Sequence, residues 1–308
     1  MAGITVTLAL LAMNHEKYIL QACESIAAQT YTDFEVVFLD NNSTDRTFEI
    51  ADAFFKGSGI RYRGYKNDVN RNVSQNLNIL VGKAETDYVT FLSGDDWYTP
   101  DNMEKKIAFL VESRADVVFT DGYRYLQDTG ETIPLYDKRN KKRVLGLHNY
   151  FNEAITGNYL YAIGFITKKE ILLENRFDEN IMMEDWDICL RLAHRGYTLA
   201  FLDHPLFYYR VMSTSLSNNL EVMAKDYAVV INKFIDHINS DRKIHRKYWL
   251  KHYKSAYRAI EKKGFGSKQD KREYAANKRD YARLKYGFPL GVIIALYWSL
   301  KIKTLKDD

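Results

Sequence analysis

The chain has 308 residues, 46% hydrophobic and 14% aromatic, with a net charge of +4, which excludes a disordered chain and leaves room for one catalytic domain plus an appendage. Its two cysteines, Cys23 and Cys189, both fall in helix-like segments; this excludes a disulfide framework and a cysteine metal cluster and favours a reducing compartment. The small total conceals an asymmetry: from Asn239 onward there are 19 Lys/Arg against 7 Asp/Glu, or +12, and before it 25 against 33, or −8.

Met1 to Leu11 lacks the basic region and long apolar run of a signal peptide, so the expectation is a cytoplasmic protein opening on a strand. Ile4 to Leu11 is apolar at nearly every position, the pattern of a parallel strand covered on both faces. A helix over Tyr18 to Ala28 follows, with Leu20, Cys23 and Ala27 at helical spacing, then a strand from Phe34 to Leu39 that ends at Asp40. Asn41 to Thr44 supply turn and cap chemistry for a helix to about Phe55. Strands at Ile60 to Tyr65 and Tyr88 to Leu92 flank a helix over Ser74 to Ala84; a helix opens at Pro100, and a strand covers Asp116 to Thr120. The polar stretch from Gly122 to Arg143 reads as a meander or loop, and Tyr159 to Phe207 as irregular α+β with one helix from about Trp186 to Arg195. Beyond Asn218 nearly everything reads as helix, broken at Gly264 to Ser267. The alternation predicts an α/β fold with a mostly parallel sheet flanked by helices and a helical C-terminal extension. Its expected parts are residues 1–120 and 121–217 of a catalytic domain and a basic region over 218–308.

Strands ending near Asn14, Asp40 and Asp95 put polar groups at the carboxyl edge of the sheet, where open α/β folds bind ligands. No Gly-x-Gly-x-x-Gly follows the first strand and no Gly-Lys-Ser/Thr loop occurs, so neither a dinucleotide fingerprint nor a P-loop is present. Paired acids, Asp95-Asp96, suit a hard divalent cation bridging a diphosphate. By themselves such acids also serve as turn and cap residues, and Glu184-Asp185 as ordinary first-turn acids of a helix. His15, His148, His194 and His204 show no ligand spacing and read as structural.

Six elements in order resemble glycosyltransferase family 2, the GT-A (Rossmann-like) fold, out to about Ser217. They are Asn14-x-x-x-Tyr18 with Ser25-Ile26-x-x-Gln29-Thr30-Tyr31; Asp40-Asn41-Asn42-Ser43-Thr44-Asp45-Arg46-Thr47; Asn72-Val73-Ser74-x-x-x-Asn78; Ser93-Gly94-Asp95-Asp96-Trp97; Glu184-Asp185-Trp186-Asp187; and Tyr209-Arg210. The resemblance implies an inverting transfer from a nucleotide-diphosphate sugar, most simply a UDP-sugar. Asp185 would be the general base, with Glu184 orienting it or the acceptor. It implies substrate contacts from Asn14, Asp40, Asn41, Asn78, Asp95, Asp96, Trp186 and Arg210, and a divalent cation (Mn or Mg) at Asp95 and Asp96. Four positions depart from the family pattern: Asn41 stands for an Asp, Ser93 for the first acid of the metal motif, Leu77 for an Arg and Met212 for a His.

In the basic region, Trp249, Tyr253, Tyr257 and Ile260 recur at helical spacing among lysines and arginines, and Phe288 to Leu300 is apolar but too short to span a bilayer. This pattern fits a core helix with a solvated basic face, or contact with an anionic membrane surface; nucleic acid fits it less well. Placement at a membrane would suit a saccharide acceptor on a polyprenyl diphosphate in surface polysaccharide synthesis. Two other classes stay open. A nucleotidyltransferase requires a Gly-rich loop that Ala12-Met13-Asn14-His15 is not, and a non-catalytic nucleotide- or nucleic-acid-binding module has no use for Asp95 and Asp185 together.

Overall fold

The structure, a computed structural model, describes residues 3–145, 150–212, 220–264, 266–286, 294–295 and 297–298. It divides into two compact units, Met1–Val230 and Ile231–Asp308.

The first unit opens with β1 (Val6–Ala12), α1 (Ile19–Ala27), β2 (Phe34–Asp40), α2 (Thr47–Ser58), β3 (Arg61–Lys66), α3 (Val73–Lys83) and β4 (Tyr88–Ser93). It continues through β5 (Trp97–Tyr98), α4 (Asn102–Ser113), β6 (Val117–Leu126), β7 (Glu131–Pro134), α5 (Lys138–Leu145) and α6 (Tyr150–Ala154). After a 3-10 turn at Ala162–Gly164 come β8 (Ile166–Lys168), α7 (Lys169–Glu174), α8 (Glu184–His194), β9 (Leu199–Val211) and α9 (Leu220–Asn232). Among the described residues nine strands make one sheet in the order β3-β2-β1-β4-β8-β6-β9-β5, with β7 paired to β6.

The parallel half follows from composition. Leu8, Ala9 and Leu10 of β1 and Val36, Val37 and Phe38 of β2 are wholly buried because helices cover both faces. Register then fixes the site: Ala12 lies opposite Asp40 and Leu11 opposite Ser93, so the residues just beyond β1, β2 and β4 emerge at one edge. Beyond β4 the sheet turns mixed, since β8 is antiparallel to both β4 and β6, while β9 runs parallel to β6 and antiparallel to β5.

Two stretches differ from the sequence reading. Residues 122–143 are not a loop: β6 continues to Leu126 and pairs with β7 through a turn that closes at Gly130, where φ is +71°. No aliphatic/polar alternation marks it because tyrosines line one face and Arg124 projects from the other. Tyr123 and Tyr125 meet Tyr208 and Trp97 on one side, and Arg124 reaches Tyr161 on the other. The irregular region likewise holds β9, a thirteen-residue strand. Pro205 sits in it opposite Asp121 where the register shifts, the one kind of place an inner strand tolerates proline.

The first unit also extends past position 217, the expected boundary. Tyr227 stacks on Trp186 with ring centroids 5.0 Å apart, and Asp226 accepts the Met182 N–H at 2.5 Å, so α9 packs with the catalytic unit. Residues 213–219 lie outside the described residues.

The second unit holds α10 (Ile235–Ser240), α11 (Arg242–Lys263) and α12 (Lys268–Tyr286). Asp241 caps α11 by accepting from the backbone N–H groups of Lys243 and Ile244, and Gly264 ends it at φ +87°. Tyr257 is buried edge-on against Tyr274 and Tyr281 of α12, with the Lys278 ammonium 4.1 Å from its ring, so part of the aromatic stripe forms the seam between helices. Most of the apolar run from Phe288 to Leu300 lies outside the described residues. Among the described residues no helix is long and apolar enough to cross a membrane.

Gly122 is required by a neighbour rather than by backbone conformation. A Cβ there would stand 2.7 Å from ring atoms of Phe207, which is wholly buried. Gly122→Ala should destabilise the protein by about 1–3 kcal/mol through overpacking, read as a lower urea midpoint with unchanged slope. An unchanged midpoint would show that β9 yields freely at this point.

Candidate active site

Two loops meet beyond β1 and β2. Asn14, in the left-handed region at φ +55°, accepts the Thr44 N–H on Oδ1 at 2.9 Å, and its own N–H donates to Ser43 Oγ. The next two amides continue the lacing, His15 N–H to Thr47 Oγ1 and Glu16 N–H to Asp45. Asn14 thus holds the β2–α2 turn in shape. Asp40 is fully buried; its Oδ1 accepts the Ser43 N–H at 2.8 Å, and its Oδ2 is buried with no hydrogen-bond partner among the described residues. A buried carboxylate oxygen left unpaired is costly, and a ligand donor is the ordinary way to satisfy it.

Asn41 and Asn78, also expected at the site, bond to protein groups. Asn41 donates to Asn70 Oδ1 and the Arg71 carbonyl, and accepts from Asn67 Nδ2 and the Arg71 N–H, so its amide shapes the 67–71 loop. Asn78 donates to the Phe177 carbonyl and Glu179 and accepts the Phe177 N–H, clipping α3 to the segment ahead of α8. Each amide is committed to protein partners. The same segment is held at the start of α3, where Asn72 donates to the Glu179 carbonyl at 2.6 Å and the Ser74 hydroxyl to that of Ile181. This lacing draws the start of α8 toward the carboxyl edge of the sheet.

The expected acid pair after β4 separates into two roles. Asp95, 17% exposed at its side chain, accepts the Ser93 hydroxyl and has Oδ2 3.9 Å from His15 Nε2. Gly94 permits this approach, because a Cβ would stand 2.7 Å from the Ala12 methyl and 3.0 Å from His15 Nδ1. Asp96 instead points inward and accepts the Arg210 N–H at 2.7 Å; burial, then the charge of Asp95, push its pKa well above the carboxylate range. Of the two acids, Asp95 is the more exposed, and Asp96 is turned onto the Arg210 backbone. Among the described residues no three acids, histidines or cysteines cluster as a metal cage. One carboxylate beside a diphosphate fits Mg or Mn, which keep several waters and bind through one or two carboxylates plus substrate phosphates. His15, read from the sequence as structural, lies beside Asp95, with its Nδ1 buried and without a hydrogen-bond partner among the described residues; its only sequence signal is adjacency to Asn14 at the end of β1.

Arg210 is 5% exposed and spoken for at every nitrogen. Its Nε donates to the Asp95 carbonyl at 2.7 Å, one terminal nitrogen to Gln21 at 2.5 Å and the other to Gln127. The guanidinium also lies 4.5, 4.8 and 5.3 Å from the rings of Tyr18, Trp97 and Tyr125. These bonds tie Arg210 to the Asp95-Asp96 turn. Trp186 is likewise core, fully buried with its indole N–H on the Ala154 carbonyl.

The first turn of α8 carries the remaining pair. Asp185 accepts the Asn158 amide at 2.9 Å and the Trp186 N–H at 2.7 Å, which favour its charged form against the burial that raises its pKa. Glu184 is pushed up to about 8 by burial, by Asp185 and by Asp226 on α9. Burial thus raises both carboxyls, while the two hydrogen bonds to Asp185 favour its charged form.

Residues 7–174, more than half the chain, match the family model for glycosyl transferase family 2. The chain belongs to glycosyl transferase family 2. An uncharacterised glycosyltransferase of Haemophilus influenzae is 27% identical over 208 residues, 67% of this chain and 79% of that one. In fold the chain is similar to residues 1–349 of Staphylococcus aureus TarS in complex with UDP-GlcNAc, with TM-score 0.65 and 18% identity, covering 98% of this chain and 89% of that one. It is also similar to the mannosyltransferase PcManGT of Pyrobaculum calidifontis with GDP-Man and Mn2+, with TM-score 0.61 and 16% identity, covering 98% and 82%. The fold of this family 2 glycosyltransferase is thus the GT-A fold, with a helical C-terminal region.

The carboxyl pair makes stability depend on pH in one direction. Folded Glu184 keeps its proton to about pH 8, whereas the unfolded chain releases it near 4.5. Between those values the folded state binds the extra proton, so this group's contribution to stability falls as pH rises. Glu184→Gln removes that loss. Its melting temperature should exceed the parent's at pH 8, and the gap should close toward pH 4.5; a constant gap across that range would contradict the assignment.

Proposed function

We propose that this enzyme transfers a hexosyl or N-acetylhexosaminyl group from a nucleotide-diphosphate donor, a UDP-sugar in the first instance, to a hydroxyl of a saccharide acceptor, with inversion. The observation that carries the reading is the pair Glu184-Asp185 in the first turn of α8, with Asp185 accepting hydrogen bonds from the Asn158 amide and the Trp186 N–H. An anionic Asp185 takes the acceptor proton as the hydroxyl attacks the anomeric carbon. The bond from that carbon to the diphosphate oxygen breaks on the opposite side, and no covalent sugar–enzyme intermediate is needed. Glu184, carrying a proton, donates a hydrogen bond to the acceptor or lies ready to orient it.

On the donor side, Asp40 supplies an unpaired oxygen for a nucleoside donor group, and His15 supplies an imidazole beside the diphosphate. A divalent cation, Mn or Mg, would neutralise charge on the leaving diphosphate, and Asp95 is the residue to hold it. PcManGT, bound to GDP-Man and Mn2+, and TarS, bound to UDP-GlcNAc, support a nucleotide-sugar donor. The name of TarS, a poly(ribitol-phosphate) β-N-acetylglucosaminyltransferase, supports surface polysaccharide synthesis as the setting. We take the acceptor to be anchored on a polyprenyl diphosphate and the enzyme to work on the cytoplasmic side.

Release of nucleoside diphosphate from a panel of nucleotide sugars, with and without Mn, tests the activity. Asp185→Asn keeps shape but loses basicity, so turnover should fall about 100-fold or more while donor affinity is retained; turnover at the parent's level would exclude Asp185 as base. Asp95→Asn should weaken nucleotide affinity when Mn is present and change it little when Mn is chelated. Calorimetry giving equal affinity for parent and variant in Mn would remove the cation from Asp95.

A further inference from the structure

The described part of the second unit contains a groove of about 850 Å³ where the start of α11 meets the end of α12. Arg242, Lys243, Arg283 and Lys285 line it and are exposed, Arg246 and Lys247 add two more cations, and no acidic side chain is among its described lining residues. Fold explains one of these charges: Arg246 donates to the carbonyls of Leu284 and Lys285 and so closes the end of α12. Lys285 lies 5.3 Å from the Tyr281 ring. Arg242, Lys243 and Arg283 are brought together from two helices and exposed, a concentration of positive charge that an anionic partner complements.

The floor distinguishes between partners. Leu250 and Leu284 line the groove beneath the charges, half-buried, and the aliphatic stems of the lysines and arginines extend that apolar surface. An anionic head joined to hydrocarbon matches a cationic rim over an apolar floor. Single-stranded nucleic acid would call for aromatic faces in the groove. Here the one ring among the described lining residues, His245, is tilted against Trp249, while Trp249 stacks on Tyr253 and bonds to Asn239, and Tyr257 lies in the helix seam. In sequence the same pattern continues, because Lys285 is followed by the apolar run Phe288 to Leu300 and then by Lys301, Lys303 and Lys306. Cations flanking a short apolar stretch suit a surface that is charged outside and hydrocarbon beneath.

We infer that the groove between the start of α11 and the end of α12 docks this enzyme on an anionic lipid bilayer. The inference stands apart from the transfer chemistry, and its test reads no activity. Full-length protein is sedimented with vesicles of phosphatidylcholine, with and without phosphatidylglycerol. It should bind only the anionic vesicles, and salt should weaken the binding because exposed charges are screened beyond about 8 Å at physiological ionic strength. Each neutralised cation should weaken partitioning by roughly five-fold, so the triple variant Arg242→Gln, Lys243→Gln, Arg283→Gln should lose about 100-fold. Two controls accompany it. Neutralising Lys56, Arg61 and Lys168 of the first unit to Gln changes net charge equally and should leave binding near the parent's. Arg242→Lys, Lys243→Arg, Arg283→Lys keeps the groove's charge and should bind like the parent, while far-ultraviolet circular dichroism confirms that all three variants fold. The inference is overturned if the parent does not sediment with anionic vesicles, or if both neutralised triples lose binding alike. A labelled oligonucleotide that binds the parent while anionic vesicles do not would overturn it in favour of nucleic acid.

Discussion

The Arg210 guanidinium is the constraint on which the donor side of this enzyme depends. It is a buried cation whose side-chain hydrogen bonds go to neutral oxygens, from the Asp95 backbone, Gln21 and Gln127, with three aromatic rings around its planar faces. Those partners come from α1, the β4–β5 turn and the strand end at β6, while the Arg210 N–H binds Asp96. A single side chain on β9 thereby sets the path of the turn that presents Asp95. Breaking such a buried network by removing one partner costs on the order of 3–5 kcal/mol, far more than an exposed contact, because the remaining groups are left desolvated and unpaired. Asp96 belongs to this scaffold, and its raised pKa is the price of its position.

Near that turn, Asp40 Oδ2 and His15 Nδ1 are buried without hydrogen-bond partners among the described residues, while Asn14, Ser43, Asp45 and Thr47 nearby are laced to one another. The edge loops are therefore well bonded around two buried atoms that a ligand could satisfy.

At the start of α8 the device is the opposite, since burial and neighbouring carboxylates act on its acids. Asn158 and the Trp186 N–H stabilise charge on Asp185, and Asp226 disfavours charge on Glu184. Asp226 lies on α9, beyond the last motif of the family pattern, and also fixes the Met182 N–H at the approach to α8. One carboxylate outside the motif therefore helps raise the pKa of a motif acid.

Local signals were enough to read β1, β2 and β4 and the helices between them, because a strand covered on both faces is continuously apolar and a helix repeats its apolar face each turn. Polar Asp40 and Asp95 stand out at the ends of those apolar strands, whereas Glu184-Asp185 took its meaning only from the family pattern. What sequence left undecided is how like residues divide their work. Asp95 and Asp96 are chemically identical neighbours, and only the fold turns one toward solvent and the other onto Arg210. Asn41, Asn78 and Trp186 carry the right residue types for binding, but tertiary partners 26 to 101 positions away in sequence occupy their polar groups. The second half of β6 was hidden because tyrosines line one face and Arg124 projects from the other, so no aliphatic/polar alternation marks it. Charge balance of the C-terminal region was plain from composition. That its cations converge on one groove over a leucine floor depends on two helices meeting, and a linear sequence does not contain that distance.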